Sequence, residues 1–301
     1  MARDMPSITT PTRPVARVAG STTRAKSVAQ ALIAHLAAAL LILSAILVAF
    51  PFIWMIHTSL MPEDEVLQFP PVWIPSHLTL QHYMDALTLQ PFGRYIVNSF
   101  IVAVTSTAGQ LLTASMGAYA FARLRFPGRD KLFLLYLATM MIPYQVTLIP
   151  QYVLISKLGW LNNYLALIVP SLGSAFSTFL LRQFFLSIPR EMEEAAKIDG
   201  AGYMRIYATI ILPLAKPAVA TVSLLTFMSS WTSFVWPLVV IQSTEMRTIP
   251  VGLAALQQQA GASDIAQIMA GAVMALVPMF VLFIFLQRYF IESIASSGLK
   301  G

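Results

Sequence analysis

Six apolar stretches, at roughly 31–60, 95–121, 132–154, 164–184, 219–241 and 266–290, take up most of this chain. Each reaches the roughly 20 helical residues needed to cross a hydrocarbon core about 30 Å thick. Lipid offers the backbone no hydrogen-bond partner, so such runs must satisfy their own amides and carbonyls, as helices do. The reading is an all-α integral membrane protein with six transmembrane helices. Only 11% of the 301 residues are charged, against about 25% in a soluble domain. The first run is too long for a signal peptide, and no small-residue cleavage site follows it. The chain has no cysteine, which excludes disulfides, thiolate metal sites, a cysteine nucleophile and a lipidated thiol.

Basic residues are retained on the cytoplasmic side of a membrane, so their positions set the orientation. Sixteen of the nineteen Lys and Arg residues fall in four places: before the first span, between spans two and three, between spans four and five, and after span six. Only Arg94, Lys157 and Arg247 fall on the other side. Both termini are therefore expected in the cytoplasm, and the net charge of +6 reflects topology, not an affinity for nucleic acid. Residues 1–27 are rich in Ser, Thr, Pro and Arg and read as a disordered basic cytoplasmic tail, with the six-span domain over 28–301. Within the tail, Gly20 to Ser27 nearly spells a P-loop. Ala25 replaces its second glycine and no strand precedes it, so no ATPase is expected in this chain.

None of the thirteen acidic residues lies at mid-membrane. Ion-coupled carriers usually bury such groups along their pathway. Their lack argues against a secondary carrier and against an intramembrane enzyme. His35, His57, His77 and His82 make no ligand cluster, and the chain is read as neither enzyme nor metalloprotein. Segment 61–93 is acidic, is broken into turns by Pro62, Pro70, Pro71 and Pro75, and allows Thr79 to cap a short helix through Leu87. Thr105, Gly109, Thr113 and Gly117 recur every four residues, a small-residue face for close helix packing. Pro143, Pro150, Pro170, Pro237 and Pro278 interrupt spans three to six and suggest kinks.

A polar, charged run interrupts the apolar pattern between spans four and five. Pro189 suits the first turn of a helix and Glu191, Glu193 and Glu194 complement its dipole, while Gly200 can end it in a left-handed conformation. A second short helix then runs to Pro213. The spacing Glu194-Ala195-Ala196, Gly200, Ile210, Leu212-Pro213 resembles the EAA loop of ABC importer permeases of the carbohydrate, maltose-type, binding-protein-dependent family. The resemblance implies that segment 189–213 docks on a separate ATPase subunit through Glu193, Glu194, Ala195, Ala196, Asp199, Gly200 and Ala201. Further likenesses lie in Met-Pro-Glu-Asp-Glu from Met61, Met-Ile-Pro-Tyr-Gln from Met141, Leu-Arg-Gln-Phe-Phe from Leu181, and Gly-Leu-Lys-Gly at the end.

Neutral and aromatic side chains gather at depth. Ser229, Trp231, Thr232, Ser233 and Trp236 in span five, Asn98 in span two and Gln145 in span three offer hydroxyls, amides and ring faces suited to a sugar. The same residue types also serve as interfacial anchors and backbone-bonding hydroxyls, and composition leaves the two readings level. Trp231, Phe234, Trp236, Pro237 and Leu238 are similar to a motif of the carbohydrate permeases, with Thr232 and Ser233 where that motif has an amide and an acid. The whole resemblance implies a type I importer permease fold in a bacterial inner membrane. It implies a related second permease subunit, two cytoplasmic ATPase subunits that bind the ATP, and an extracytoplasmic solute-binding protein. Sugar or polyol is the expected solute. A non-sugar such as glycerol phosphate is the alternative, and a secondary carrier a more distant one.

Overall fold

The computed structural model describes residues 21–260 and 264–298. These divide into two units, residues 1–54 and 55–301. The first holds most of helix α1 (Ser21–Ser59), whose apolar side chains from Ile33 to Phe52 are largely exposed. Residues 1–20 of the expected tail lie outside the described residues, and α1 already begins at Ser21, ahead of the boundary at residue 27.

The second unit runs through α2 (Glu63–Val66), α3 (Gln81–Leu89), α4 (Phe92–Arg123), α5 (Arg129–Ala138), α6 (Tyr144–Lys157), α7 (Tyr164–Ile168) and α8 (Ala175–Ser187). It continues through α9 (Glu191–Ile198), α10 (Tyr203–Ile206), α11 (Leu212–Leu214), α12 (Lys216–Trp231), α13 (Val235–Val240), α14 (Ile249–Ala260) and α15 (Ile265–Gly298). Among the described residues, Ile33–Ser59, Phe92–Arg123 and Ile265–Phe285 are each long and apolar enough to cross a membrane, and three bent pairs raise the total to six if each pair is one span.

The bends show where the expected spans differ from simple kinked helices. Span three is two helices meeting at 97°, because Pro143 stands immediately ahead of α6 and the residue before a proline avoids the helical region. Span five breaks at Thr232 to Phe234, not at the expected Pro237. Pro237 sits in the first turn of α13, where a missing amide costs no helical hydrogen bond. Pro278 lies inside α15 without ending it. The short helix expected after Thr79 also forms: α3 starts at Gln81, whose amide donates to Thr79 Oγ1 at 3.1 Å.

Helix α4 is the central post, packed against α8 and α12, with α12 in turn against α15. The small-residue face does the work expected of it. An added Cβ at Gly109 would collide with Leu172, one at Gly117 would sit 3.4 Å from Thr178, and Thr113 Oγ1 donates to the Leu172 carbonyl. One buried cluster joins Ala118 and Tyr119 of α4 and Leu181 and Phe185 of α8 to Ile206, Tyr207 and Ile211 of the polar interruption. Another, around Phe92, Tyr95, Trp231, Ile249 and Leu256, packs the opposite end of α4.

Candidate functional site

The segment 189–213 folds as two helices about a turn. Helix α9 begins after Arg190, with Pro189 just ahead of the helix and not inside its first turn. Three glutamates occupy the first turn and Lys197 the last, in keeping with the helix dipole. Gly200 ends it at φ 81°. The Gly200 amide donates to the Lys197 carbonyl at 3.0 Å and the Ala201 amide to the Ala196 carbonyl at 2.9 Å, the paired bonds of a Schellman turn. The Lys197 ammonium then lies 5.5 Å from the Tyr203 ring across the bend. Beyond α10, residues Tyr207–Ile211 form a π-turn. A proline within a helix removes an amide and crowds the carbonyl four residues back, and the wider turn just ahead of Pro213 accommodates this.

The residues expected at the partner interface do not all face one way. Glu194, Ala195, Asp199 and Gly200 are exposed, and Ala196 and Ala201 are half-buried against the core. Glu193 is turned inward: its Oε1 lies 2.9 Å from Arg123 Nε, with both side chains almost wholly buried. It is therefore not a surface charge available to a partner. The outward face instead carries Met192, Ile198, Tyr203 and Met204, all exposed. Their α-helical positions beside the glycine turn were the available signal, obscured by a chain in which apolar residues are everywhere.

A cavity of about 800 Å³ opens among α4, α6, α8, α12 and the break before α13. Of the expected pathway residues, Ser229, Ser233 and Trp236 line it. The others are elsewhere. Asn98 is fully buried, donating to the carbonyls of Glu245 at 2.7 Å and Arg247 at 2.8 Å and accepting from Tyr164 Oη at 2.7 Å. It ties α4 to the turn before α14. Trp231 stacks on Phe227 and donates to the Ala275 carbonyl at 3.1 Å, so it joins α12 to α15. Thr232 bonds back to the Met228 carbonyl at 2.8 Å, and Gln145 is exposed and outside the lining. Even Trp236 has its indole N–H committed, to the Ala166 carbonyl at 2.8 Å.

The polar lining comes mainly from residues that composition did not single out. Gln110 donates to Ser177 Oγ at 2.7 Å and Thr226 Oγ1 at 3.0 Å, joining α4, α8 and α12 across one wall. Ser106 and Thr248, also in the lining, have buried hydroxyls with no protein partner. Buried hydroxyls normally find partners, but these two lie behind the cavity surface, Ser106 wholly buried and Thr248 3% exposed. Tyr144, Trp236 and Phe234 supply ring surface. Among the described residues no Asp, Glu, Lys, Arg or His lines the cavity. Among the described residues no group of His, Asp or Glu could hold a metal ion; His82 Nε2 instead meets the Met61 carbonyl at 2.8 Å.

Residues 110–296 match the sequence profile of the family described as "binding-protein-dependent transport system inner membrane component". The chain is 37% identical to the arabinooligosaccharides transport system permease protein AraQ of Halalkalibacterium halodurans, covering 85% of this chain and 93% of that protein. It is 34% identical to the sn-glycerol-3-phosphate transport system permease protein UgpE of Brucella abortus, over 88% and 96%. A crystal structure of a bacterial ABC transporter involved in import of the acidic polysaccharide alginate contains a chain that superposes with a TM-score of 0.77 at 26% identity, covering 87% of this chain and 98% of that one.

Proposed function

This chain belongs to the family of binding-protein-dependent transport system inner membrane components, and from that premise we propose that its cavity passes an uncharged sugar, oligosaccharide or polyol. It is a permease of a carbohydrate-class ABC importer, with the type I importer fold. Transport, not catalysis, is the family's work.

The choice of an uncharged solute rests on one observation: every polar group lining the 800 Å³ cavity is a hydroxyl, an amide or an indole N–H. A phosphate or carboxylate moved out of water needs cations or charge-assisted hydrogen bonds. A sugar needs hydroxyl partners and ring faces for its C–H surfaces. The lining supplies these. Of the relatives compared, one is named for arabinooligosaccharides and another for sn-glycerol-3-phosphate, so the family accommodates both kinds of solute.

In the assembled importer this chain pairs with a related permease subunit, and the exposed face of α9 and the Gly200 turn seats on one of two ATPase subunits that bind the ATP. A solute-binding protein delivers the cargo from the opposite face. Both termini and segment 189–213 lie in the cytoplasm, where sixteen of nineteen basic residues gather. Closure of the ATPase pair would move the segment, and the helices it packs on would follow, shifting the pathway between two states.

The test is uptake by the complete importer in proteoliposomes, supplied with its binding protein and ATP. Neutral oligosaccharides or polyols should be accumulated and should compete with one another. Accumulation of sn-glycerol-3-phosphate with no uptake of any neutral sugar would overturn the assignment.

A further inference from the structure

Helix α9 is not attached to the body only through its chain ends. Arg123, the last residue of α4, reaches Glu193 in the first turn of α9 with Nε to Oε1 at 2.9 Å, the two side chains 3% and 6% exposed. The same guanidinium uses Nη2 to donate to the carbonyl of Ile188 at 2.6 Å and to that of Phe185. These carbonyls belong to the last turn of α8 and the residue just past it, where helix carbonyls lack intrahelical partners and a cation is favoured. One buried side chain thus holds the ends of α4 and α8 and the start of α9 together. Arg182 adds a second tie between α8 and α4, from Nε to the Phe121 carbonyl at 3.2 Å.

The two helices gripped in this way also wall the cavity. Helix α4 gives it Ser106 and Gln110, and α8 gives it Ser177. On the far side of α9, Met192, Ala195 and Ile198 are exposed, and the chain leaves through the left-handed Gly200 turn. A displacement of the exposed face can therefore reach the cavity walls by a short, buried route. We propose that the Arg123–Glu193 pair is the strut of that route, two positioning residues that touch neither solute nor ATP but make α4 and α8 move with α9. The proposal rests on the importer reading above.

The chemistry favours a strut over incidental packing. A buried ion pair resists separation, because parting it leaves a desolvated charge behind. Arginine's planar fork can serve a carboxylate and carbonyls at the same time, which a lysine ammonium on a flexible stem cannot reproduce. Without the pair, α9 would keep its backbone connections and the partial burial of Ala196 in the core. Those contacts, with the packing of Ala201, Ile206 and Tyr207 beyond the turn, would hold the segment in place but leave the first turn of α9 without its charged link to the end of α4.

The test uses the complete importer, carrying Glu193→Gln or Arg123→Lys, in proteoliposomes with binding protein and ATP. Three quantities are read: ATPase subunit retained on purification, ATP hydrolysed, and solute accumulated per ATP. Each variant should keep its ATPase subunits and hydrolyse ATP within about twofold of the unmodified complex. Solute per ATP should fall about tenfold, within the usual range of coupling between sites. An unchanged ratio in an assembled variant overturns the strut, as does loss of ATPase subunits or failure of both variants to assemble, which would mark the pair as a docking or folding element. The unmodified complex, run alongside, reports separately on the importer reading through its own ATP-dependent uptake.

Discussion

Gln110 of α4 reaches across the cavity wall to Ser177 of α8, its amide nitrogen 2.7 Å from the Ser177 hydroxyl, and holds Thr226 of α12 at 3.0 Å with the same group. Three helices that are far apart in sequence meet at one neutral side chain. In the proposed function its carbonyl oxygen accepts from a solute hydroxyl. Gln110→Leu removes both bonds and that acceptor while keeping the bulk. A net hydrogen bond contributes about 0.5–1.5 kcal/mol, so the solute concentration for half-maximal uptake should rise about two- to twelvefold. The ATPase subunits should stay bound. Concentration series of uptake in proteoliposomes measure it.

Asn98 resembles Gln110 in type but not in role. All three of its recorded bonds go to the protein itself: two donated to the carbonyls of Glu245 and Arg247, one accepted from Tyr164. Asn98→Ala would remove the donor of two part-buried carbonyls and the acceptor of Tyr164, at about 0.5–1.5 kcal/mol for each bond lost. The expected outcome is a lower unfolding temperature of the purified subunit in detergent, with transport reduced in proportion to the protein recovered and no shift in half-saturating solute. Thermal unfolding and uptake kinetics on the same preparation separate this residue from Gln110.

These two residues also show how far the sequence could be read. The spans, the charge asymmetry and the polar interruption are local properties of the chain, set by run length, retained cations and helix-ending glycine. Each was legible without a fold. The cavity was not. Whether Asn98 or Gln110 faces it depends on how α4 is rotated against α8 and α12, on the 97° bend at Pro143 and on the helix break at Thr232 to Phe234. Trp231 and Trp236 have identical chemistry, yet one is committed to α15 through the Ala275 carbonyl and the other borders the cavity. Glu193 and Glu194 adjoin in sequence, but successive helix positions point about 100° apart. One is buried against Arg123 and the other is exposed.

Gly200 closes α9 at φ 81° with nothing within 4 Å of where a Cβ would lie. Space is therefore not the constraint; backbone conformation is. Left-handed geometry costs a residue with a Cβ roughly 1–2 kcal/mol, with Asp and Asn the best tolerated. Gly200→Asp should fold and reach the membrane while placing a new charge on the exposed turn. ATP-driven uptake should be lost, with the variant subunit still present in membrane fractions at close to the unmodified amount. Gly200→Val, β-branched and strained at this φ, should instead reduce the amount of protein. Quantitative blots of membranes beside uptake assays distinguish the two effects, and normal transport by Gly200→Asp would remove this turn from the docking surface.

Ile198 lies one helical turn beyond Glu194 and is 87% exposed, a large apolar side chain at the end of α9 that the described residues leave uncovered. Exposed apolar surface beside a polar rim is a common mark of a protein contact, and a buried aliphatic anchor at such a contact contributes about 1.5–3 kcal/mol. Ile198→Glu would forfeit that burial and set a carboxylate beside Asp199, so a partner groove shaped for an aliphatic group would meet two negative charges. The subunit's own stability should be unchanged, because the side chain packs against none of its core. The ATPase subunits should be lost on purification, and uptake with them. Ile198→Leu, which keeps the apolar volume, should retain both. Co-purification of ATPase with the two variants decides the matter: equal recovery from Ile198→Glu and the unmodified chain would mean that α9 meets its partner through another face.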